Sequence, residues 1–391
     1  MIRRRDFLRK TAAAGVLAMS GKVVPGAAAS GRGDQGTAVP VPFSYEIPHT
    51  RKAIPIQGAR IYPMSSPFSR TDTRTGLTPD GRVFAAGSGY LWESTDRGRT
   101  WTMRKLPVGT GGGFGILDDD VFILIHDAPD HSVTYVQRST DYGESWSEPF
   151  PLDVSPYTFS GSGWSDVYQH PDGTAMITVT LRHRDGVDEW DNPRIRGFHD
   201  HIFRSRDGGR SWGDRTLILP YSAESTLMAV KDSNRMLAYI RAQRPMLQED
   251  PPDFREKTGA SPTEQWVLKN GVIAESSDGG RTWVNPRLFD LRGSIPGEFV
   301  QVPDGRIAAI WLQRYPYELA GIRARISSDG GRTWDPTTYS LMHGHGYPDS
   351  VVYPDGTIVT VCENTDLNHR GRVVGSRTMA ALHWRLGGAT S

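Results

Sequence analysis

The chain has 391 residues and a formal net charge of +1, with 43 glycines, 27 prolines, 11 tryptophans and a single cysteine. The near-balanced charge argues against a nucleic acid or an anionic membrane surface as partner. Cys362 alone excludes an internal disulfide and offers no catalytic-thiol constellation. Abundant Gly, Pro and Trp suit many short strands joined by tight turns rather than long helices, in two average domains or one repeat architecture.

The first 29 residues read as an address. Arg3-Arg4-Arg5-Asp6-Phe7-Leu8-Arg9-Lys10 precedes a short apolar run, Thr11 to Met19, and Ala27-Ala28-Ala29 offers small residues for a peptidase. The run is too short to anchor in a bilayer. The twin-arginine start resembles a Tat signal, which implies export to the periplasm or medium. Residues 30–41 read as a flexible linker, and residues 42–391 as the folded domain. No later segment is long and apolar enough to insert in a membrane.

Six repeating units then follow, at about 70–107, 112–153, 163–220, 224–292, 298–341 and from 346 onward. Each opens with two short apolar runs about a tight turn. That turn is Pro-Asp-Gly at Pro79, Pro171, Pro303 and Pro354, Asp118-Asp119-Asp120 in the second unit, and Asp232-Ser233-Asn234 in the fourth. Five units close on an octapeptide, S-x-D-x-G-x-[ST]-W: Ser94 to Trp101, Ser139 to Trp146, Ser205 to Trp212, Ser276 to Trp283 and Ser327 to Trp334. In it the Asp can accept backbone N–H groups within a turn, the Gly supplies positive φ, and the Trp buries a large flat surface. The period is strand A, turn, strand B, loop, strand C, octapeptide, strand D. That is one four-stranded propeller blade.

The octapeptide resembles the Asp box of the sialidase-like, or BNR-repeat, propellers. The resemblance implies an all-β, six-bladed β-propeller with few helices. The sixth unit lacks the octapeptide, and its outer strand is expected from the segment Phe43 to Arg60, closing the ring with both chain ends. The A–B turns and the Asp boxes share one face. The strand A starts, strand B ends and strand C starts converge on the other, so the five Asp-box acids are expected to be structural.

On that second face lie Arg70, Asp72 and Arg74 of blade one, and Trp164 and Asp166 of blade three with Arg182, His183 and Arg184. Glu224 and Arg241 come from blade four, Glu298, Arg314 and Arg323 from blade five, and Tyr347, Asp349 and Glu363 from blade six. Several arginines with few lysines suit planar capture of a carboxylate. The sialidase resemblance implies roles residue by residue. Glu224, followed by Arg241, matches the family's glutamate and the arginine one strand later; Tyr347, in Gly346-Tyr347-Pro348-Asp349, matches the nucleophilic tyrosine; and Arg323 stands near a further arginine. Two features depart from the family. The early Arg-Ile-Pro is missing: Arg60-Ile61-Tyr62-Pro63 is only loosely similar, and Arg70 fits better by spacing. The blade-one loop carrying the acid/base Asp is reduced to Gly87-Ser88-Gly89-Tyr90. Asp72 or Asp166 is the expected substitute acid, or His199 within His199-Asp200-His201. Arg70, Arg182, Arg241, Arg314, Arg323 and Trp164 are the expected substrate contacts.

The resemblance therefore implies an exported exo-glycoside hydrolase (a neuraminidase relative) acting on an anionic glycan, of sialic or uronic acid type, with a Tyr347/Glu224 pair and no cofactor or metal. Two alternatives stay open: a polysaccharide lyase on a uronate-containing glycan using Tyr and His, and a non-catalytic carbohydrate-binding propeller.

Overall fold

A computed structural model describes residues 53–64, 73–108, 112–182, 197–248, 250–290, 292–315, 320–342, 346–364 and 378–387. The leader, the linker, Arg70, Asp72, His183 and Arg184 lie outside the described residues.

Two strands precede the first blade, β1 (Ala53–Pro55) and β2 (Arg60–Met64). Blade one is β3 (Arg74–Leu77), β4 (Val83–Gly87), β5 (Tyr90–Ser94) and β6 (Thr102–Lys105). Blade two is β7 (Gly113–Leu117), β8 (Val121–Asp127), β9 (Thr134–Ser139) and β10 (Phe150–Pro151). In blade three, β11 (Phe159–Gly161) and β12 (Val167–Gln169) both pair with β13 (Ala175–Arg182), followed by β14 (His199–Ser205) and β15 (Gly213–Pro220). Blade four is β16 (Ser222–Ala229), β17 (Met236–Arg244), β18 (Leu268–Ser276) and β19 (Val284–Leu288). Blade five is β20 (Ser294–Gln301), β21 (Ile307–Gln313), β22 (Gly321–Ser327) and β23 (Thr338–Met342). Blade six is β24 (Asp349–Val352), β25 (Ile358–Asn364) and β26 (Thr378–Trp384), completed by β2. The innermost strands follow one another around the ring, and β24 packs on β3 to close it.

The second strand of each blade is covered on both faces, which is why it reads as an unbroken apolar run such as Ile307-Ala-Ala-Ile-Trp-Leu, buried throughout. The hairpin into it turns through left-handed residues. These are glycines in the Pro-Asp-Gly units, Asp119 and Asp120 in blade two, and Asp232 in blade four, a residue type that tolerates this region. A single helical turn, Phe254–Lys257, sits in the long loop of blade four.

Two strand assignments correct the sequence reading. The outer strand of blade six is Arg60–Met64, which shares only Arg60 with the expected segment. An outermost strand faces solvent and carries little apolar alternation; here only Met64 is buried. Arg60-Ile61-Tyr62-Pro63 therefore runs along the rim, and Arg74, not Arg60, stands at the start of blade one's innermost strand. In addition, β1 lies parallel to β23 as a fifth strand on blade five.

Each octapeptide is a closed hydrogen-bond knot. In blade one, Asp96 Oδ1 accepts the Arg99 and Thr100 N–H groups (3.0 and 2.8 Å) and the Ser94 hydroxyl (2.8 Å), while Oδ2 accepts the Thr100 hydroxyl at 2.7 Å. Ser94 Oγ in turn accepts the Gly98 N–H (2.7 Å), and the Trp101 indole N–H donates to the Gly98 carbonyl (3.0 Å). A Cβ on Gly98, Gly143, Gly209, Gly280 or Gly331 would come within 3.4 Å of Val359, Leu91, Ile123, Ile202 or Leu237, respectively. Each knot is thus pressed against the blade before it.

These bonds oppose the cost of partial burial and hold the Asp96 carboxyl down at about 2, below its ordinary value of 3.8. A lowered folded-state pKa contributes stability above the unfolded value that is lost as pH falls through the folded one. Asp96→Ala is therefore expected to cost about 1–3 kcal/mol at neutral pH. In urea melts, the gap from wild type should narrow between pH 4 and pH 2.

Candidate functional site

The site is built where blades four, five and six meet. In β16 the pairing to β17 slips: Ala223 faces Arg241 and Thr226 faces Tyr239, leaving Glu224 and Ser225 opposite Ile240 alone. This is a bulge, with Glu224 at φ 52°, and bulges re-aim side chains. Here the carboxylate turns to Arg241 on the next strand, whose Nη1 donates to Glu224 Oε1 at 2.5 Å while Nη2 donates to Gln243 Oε1 at 2.9 Å. Tyr347 enters just ahead of β24. A side chain at Gly346 would put a Cβ 2.5 Å from the Glu363 backbone nitrogen, so only glycine lets the chain pass there.

The Tyr347 hydroxyl donates to Glu224 Oε1 at 3.1 Å and accepts from Arg314 Nη2 at 3.1 Å. Arg314, just past β21, is itself fixed by Nε donating to the Ile295 carbonyl (3.0 Å). The phenol oxygen thus lies between a base and a cation. Glu224 Oε2 is buried and accepts no hydrogen bond among the described residues. Burial opposes ionisation of Glu224, but Arg241 and Arg314, with the Tyr347 hydrogen bond, outweigh it and hold the carboxyl below its usual range. Glu224 is therefore held as the carboxylate beside the Tyr347 hydroxyl.

Trp164 seals the floor beneath Tyr347. Its ring meets Tyr347 edge to face at 5.4 Å, and the Arg74 guanidinium stacks 3.7 Å over the indole. Arg74 is buried and bonded to Asp349 Oδ1 (2.6 Å) and to the Ser165 and Trp164 carbonyls (3.0 and 2.9 Å). Arg74, at the start of blade one's innermost strand, thus serves the axis. There, Arg74, Asp166, Glu298 and Asp349 help line an axial cavity of about 350 Å³ that does not include Tyr347 or Glu224. These acids strap neighbouring inner strands: Asp349 takes the Thr75 N–H, Asp166 the Leu227 N–H and Glu298 the Ser350 N–H, at 2.5, 2.8 and 3.0 Å. Burial raises Asp166 to about 6, with Arg74 and the Leu227 N–H opposing. Burial, reinforced by Asp349, pushes Glu298 well above the carboxylate range.

Of the expected residues, the structure brings Tyr347, Glu224, Arg241, Arg314 and Trp164 together. It places Asp166 on the axis. Arg323 lies within its own sheet, where its guanidinium donates to Ser340 Oγ and to the carbonyls of Ala320 and Ile322. Arg182 stacks over Phe159 and Phe198 at 3.8 and 5.1 Å. His199 sits between Tyr157 and Tyr221, with ring centroids 6.2 and 5.9 Å away. His201 is buried, which lowers it to about 3, and it is neutral. Arg70 lies outside the described residues. Sequence reasoning missed Lys269 of β18, which burial together with Arg241 and Arg314 lowers to about 8. Its place near the start of a third strand, on the converging face, was the available signal.

No known protein-family profile matches the chain. It is 26% identical over 226 residues to a sialidase of Micromonospora viridifaciens, a match covering 54% of this chain and 32% of that protein, so the chain spans about a third of its relative's length. Among solved structures it superposes on a Hadza microbial sialidase (TM-score 0.56, 17% identity, covering 80% of this chain and 65% of that one). It also superposes on an α-L-arabinofuranosidase of Fusarium graminearum (TM-score 0.54, 11% identity, covering 85% and 97%). The repeats, the ring of six sheets and these similarities together show a six-bladed β-propeller whose fold is similar to that of sialidases and of an α-L-arabinofuranosidase.

Proposed function

We propose that the chain is an exported glycoside hydrolase that cleaves a terminal sugar from an anionic glycan with Tyr347 as nucleophile. The observation that carries this reading is the Tyr347 hydroxyl, 3.1 Å from both the Glu224 carboxylate and the Arg314 guanidinium. Glu224 takes the phenol proton and Arg314 stabilises the resulting phenolate, which attacks the anomeric carbon as the glycosidic bond breaks. The leaving oxygen takes a proton from solvent, because the blade-one hairpin ends in the turn Ser88-Gly89 and carries no acid there. Water then cleaves the aryl glycoside and gives one proton back to solvent, the phenolate leaves, and Glu224 returns the original proton to it. A phenol suits an anionic substrate better than a second carboxylate, which would repel it. Arg241, Arg314 and Lys269 supply positive charge for that anion. The twin-arginine start of the sequence, which resembles a Tat signal, supports export.

The test is a product screen by mass spectrometry and ultraviolet absorbance, on sialylated, uronate-containing and arabinose-containing glycans. Release of a saturated monosaccharide is expected. An unsaturated uronate would replace this reading with a lyase, and binding without any product would replace it with a carbohydrate-binding propeller.

A further inference from the structure

Ser225, the second residue of the bulge, cannot use the regular ladder for its backbone groups, because the extra residue takes it out of register with β17. Both groups are satisfied from blade three instead. The Ser225 N–H donates to Asp200 Oδ2 at 2.7 Å, and the Ser225 carbonyl accepts the Thr178 hydroxyl at 3.0 Å. Asp200 is 1% exposed and is itself anchored. Its Oδ1 accepts the Thr180 hydroxyl, and its own N–H donates to Ser222 Oγ at 2.9 Å, on the near side of the same bulge. The segment Ser222–Ser225 is thus gripped on both sides of Glu224, a non-glycine residue held at φ 52°. A sparsely populated backbone geometry of this kind persists only where its surroundings over-determine it. Burial raises the Asp200 carboxyl, against the hydrogen bonds from Ser225 and Thr180, so placing an acid here opposes its ionisation. The reaction proposed above gives Asp200 no step.

We propose that Asp200 is a positioning residue: reaching from blade three, it fixes the bulge of blade four that turns the Glu224 carboxylate onto Tyr347. Thr178 is its partner, holding the carbonyl of the same residue. The inference rests on the Tyr347–Glu224 reading for its catalytic consequence but not for its geometry.

The test compares full-length Asp200→Ala, Asp200→Asn and Thr178→Val by crystallography and, on the substrate found in the product screen, by steady-state kinetics. In Asp200→Ala, Glu224 is expected to move beyond hydrogen-bond distance of Tyr347, with kcat falling about 100-fold and KM nearly unchanged. Asp200→Asn keeps an oxygen for the Ser225 N–H and is expected to restore both the contact and most of kcat. Thr178→Val, which leaves Asp200 in place, is expected to cost about 10-fold in kcat and covers the case that Asp200→Ala does not fold. An unmoved Glu224 with unchanged kcat in Asp200→Ala or Thr178→Val would overturn the proposal, as would an Asn variant as impaired as Ala. If no substrate is cleaved, the hydrolase reading fails, and the Glu224–Tyr347 distance in the variants still decides the role of Asp200.

Discussion

Tyr347→Phe is expected to lower kcat by about 10,000-fold or more while leaving the fold intact. The change removes one oxygen. That oxygen donates to Glu224 and accepts from Arg314, and both partners keep other contacts: Glu224 to Arg241, and Arg314 to the Ile295 carbonyl. The ring still packs on Trp164. Loss of stability should therefore stay near about 1–2 kcal/mol, read from urea unfolding. Glu224→Ala should lower kcat by about 100- to 10,000-fold, and the double variant should be no worse than Tyr347→Phe alone, because the two groups act in one step. Since its cationic neighbours hold Glu224 below the ordinary carboxylate range, the acid limb of the kcat profile should also lie below that range. A Tyr347→Phe variant that cleaves substrate at the wild-type rate would exclude tyrosine as the nucleophile.

The largest expected loss of stability comes from a different pair. Arg325 of β22 is fully buried and bonded to Asp290 Oδ2 at 2.9 Å and Thr338 Oγ1 at 3.0 Å, joining blade five to the end of blade four. Its guanidinium also lies against the rings of Phe289 and Trp311, 5.4 and 5.8 Å from their centroids. Asp290→Ala leaves that cation desolvated without its counter-ion and is expected to cost about 3–5 kcal/mol. Adding Arg325→Met should recover part of the loss, because an apolar side chain of similar length needs no counter-ion. Equilibrium denaturation of the two single variants and the double variant tests this. Equal losses in Asp290→Ala and in the double variant would show that packing, not charge, governs the site.

The blades were legible because their signals are local. A two-sided strand must be apolar, a hairpin needs left-handed residues, and the octapeptide closes its hydrogen bonds within eight residues. Family resemblance pointed to Tyr347, Glu224 and Arg241, which the structure brings within hydrogen-bond reach of one another. What stayed hidden depends on register and on distant partners. Arg314 follows the end of β21 and Arg323 lies on the adjoining β22, nine residues later; the face on which such a side chain emerges is settled by strand pairing, and one residue of slip reverses it. Glu224 and Ser225 stand in a slip of just that kind, and no periodicity announces it. The role of Asp166 as a strap on Leu227 depends on a contact across 61 residues. β1 and β2 are too short and too exposed to show a pattern.

The knots of blades one to five each press on the preceding blade, which accounts for five of the six joints in the ring. The sixth joint, between blades five and six, has no knot. It is spanned instead by residues 53–64, which give β1 to the edge of blade five and β2 to the edge of blade six. Four of these joints form between neighbours in sequence, whereas the joint of blade one to blade six, with Gly98 against Val359, and the pairing of Ala53 with Thr338 need partners from opposite ends of the chain. Loop-closure entropy puts such a contact late in folding. The segment 53–64 thus braces from outside the two blades that carry Arg314 and Tyr347.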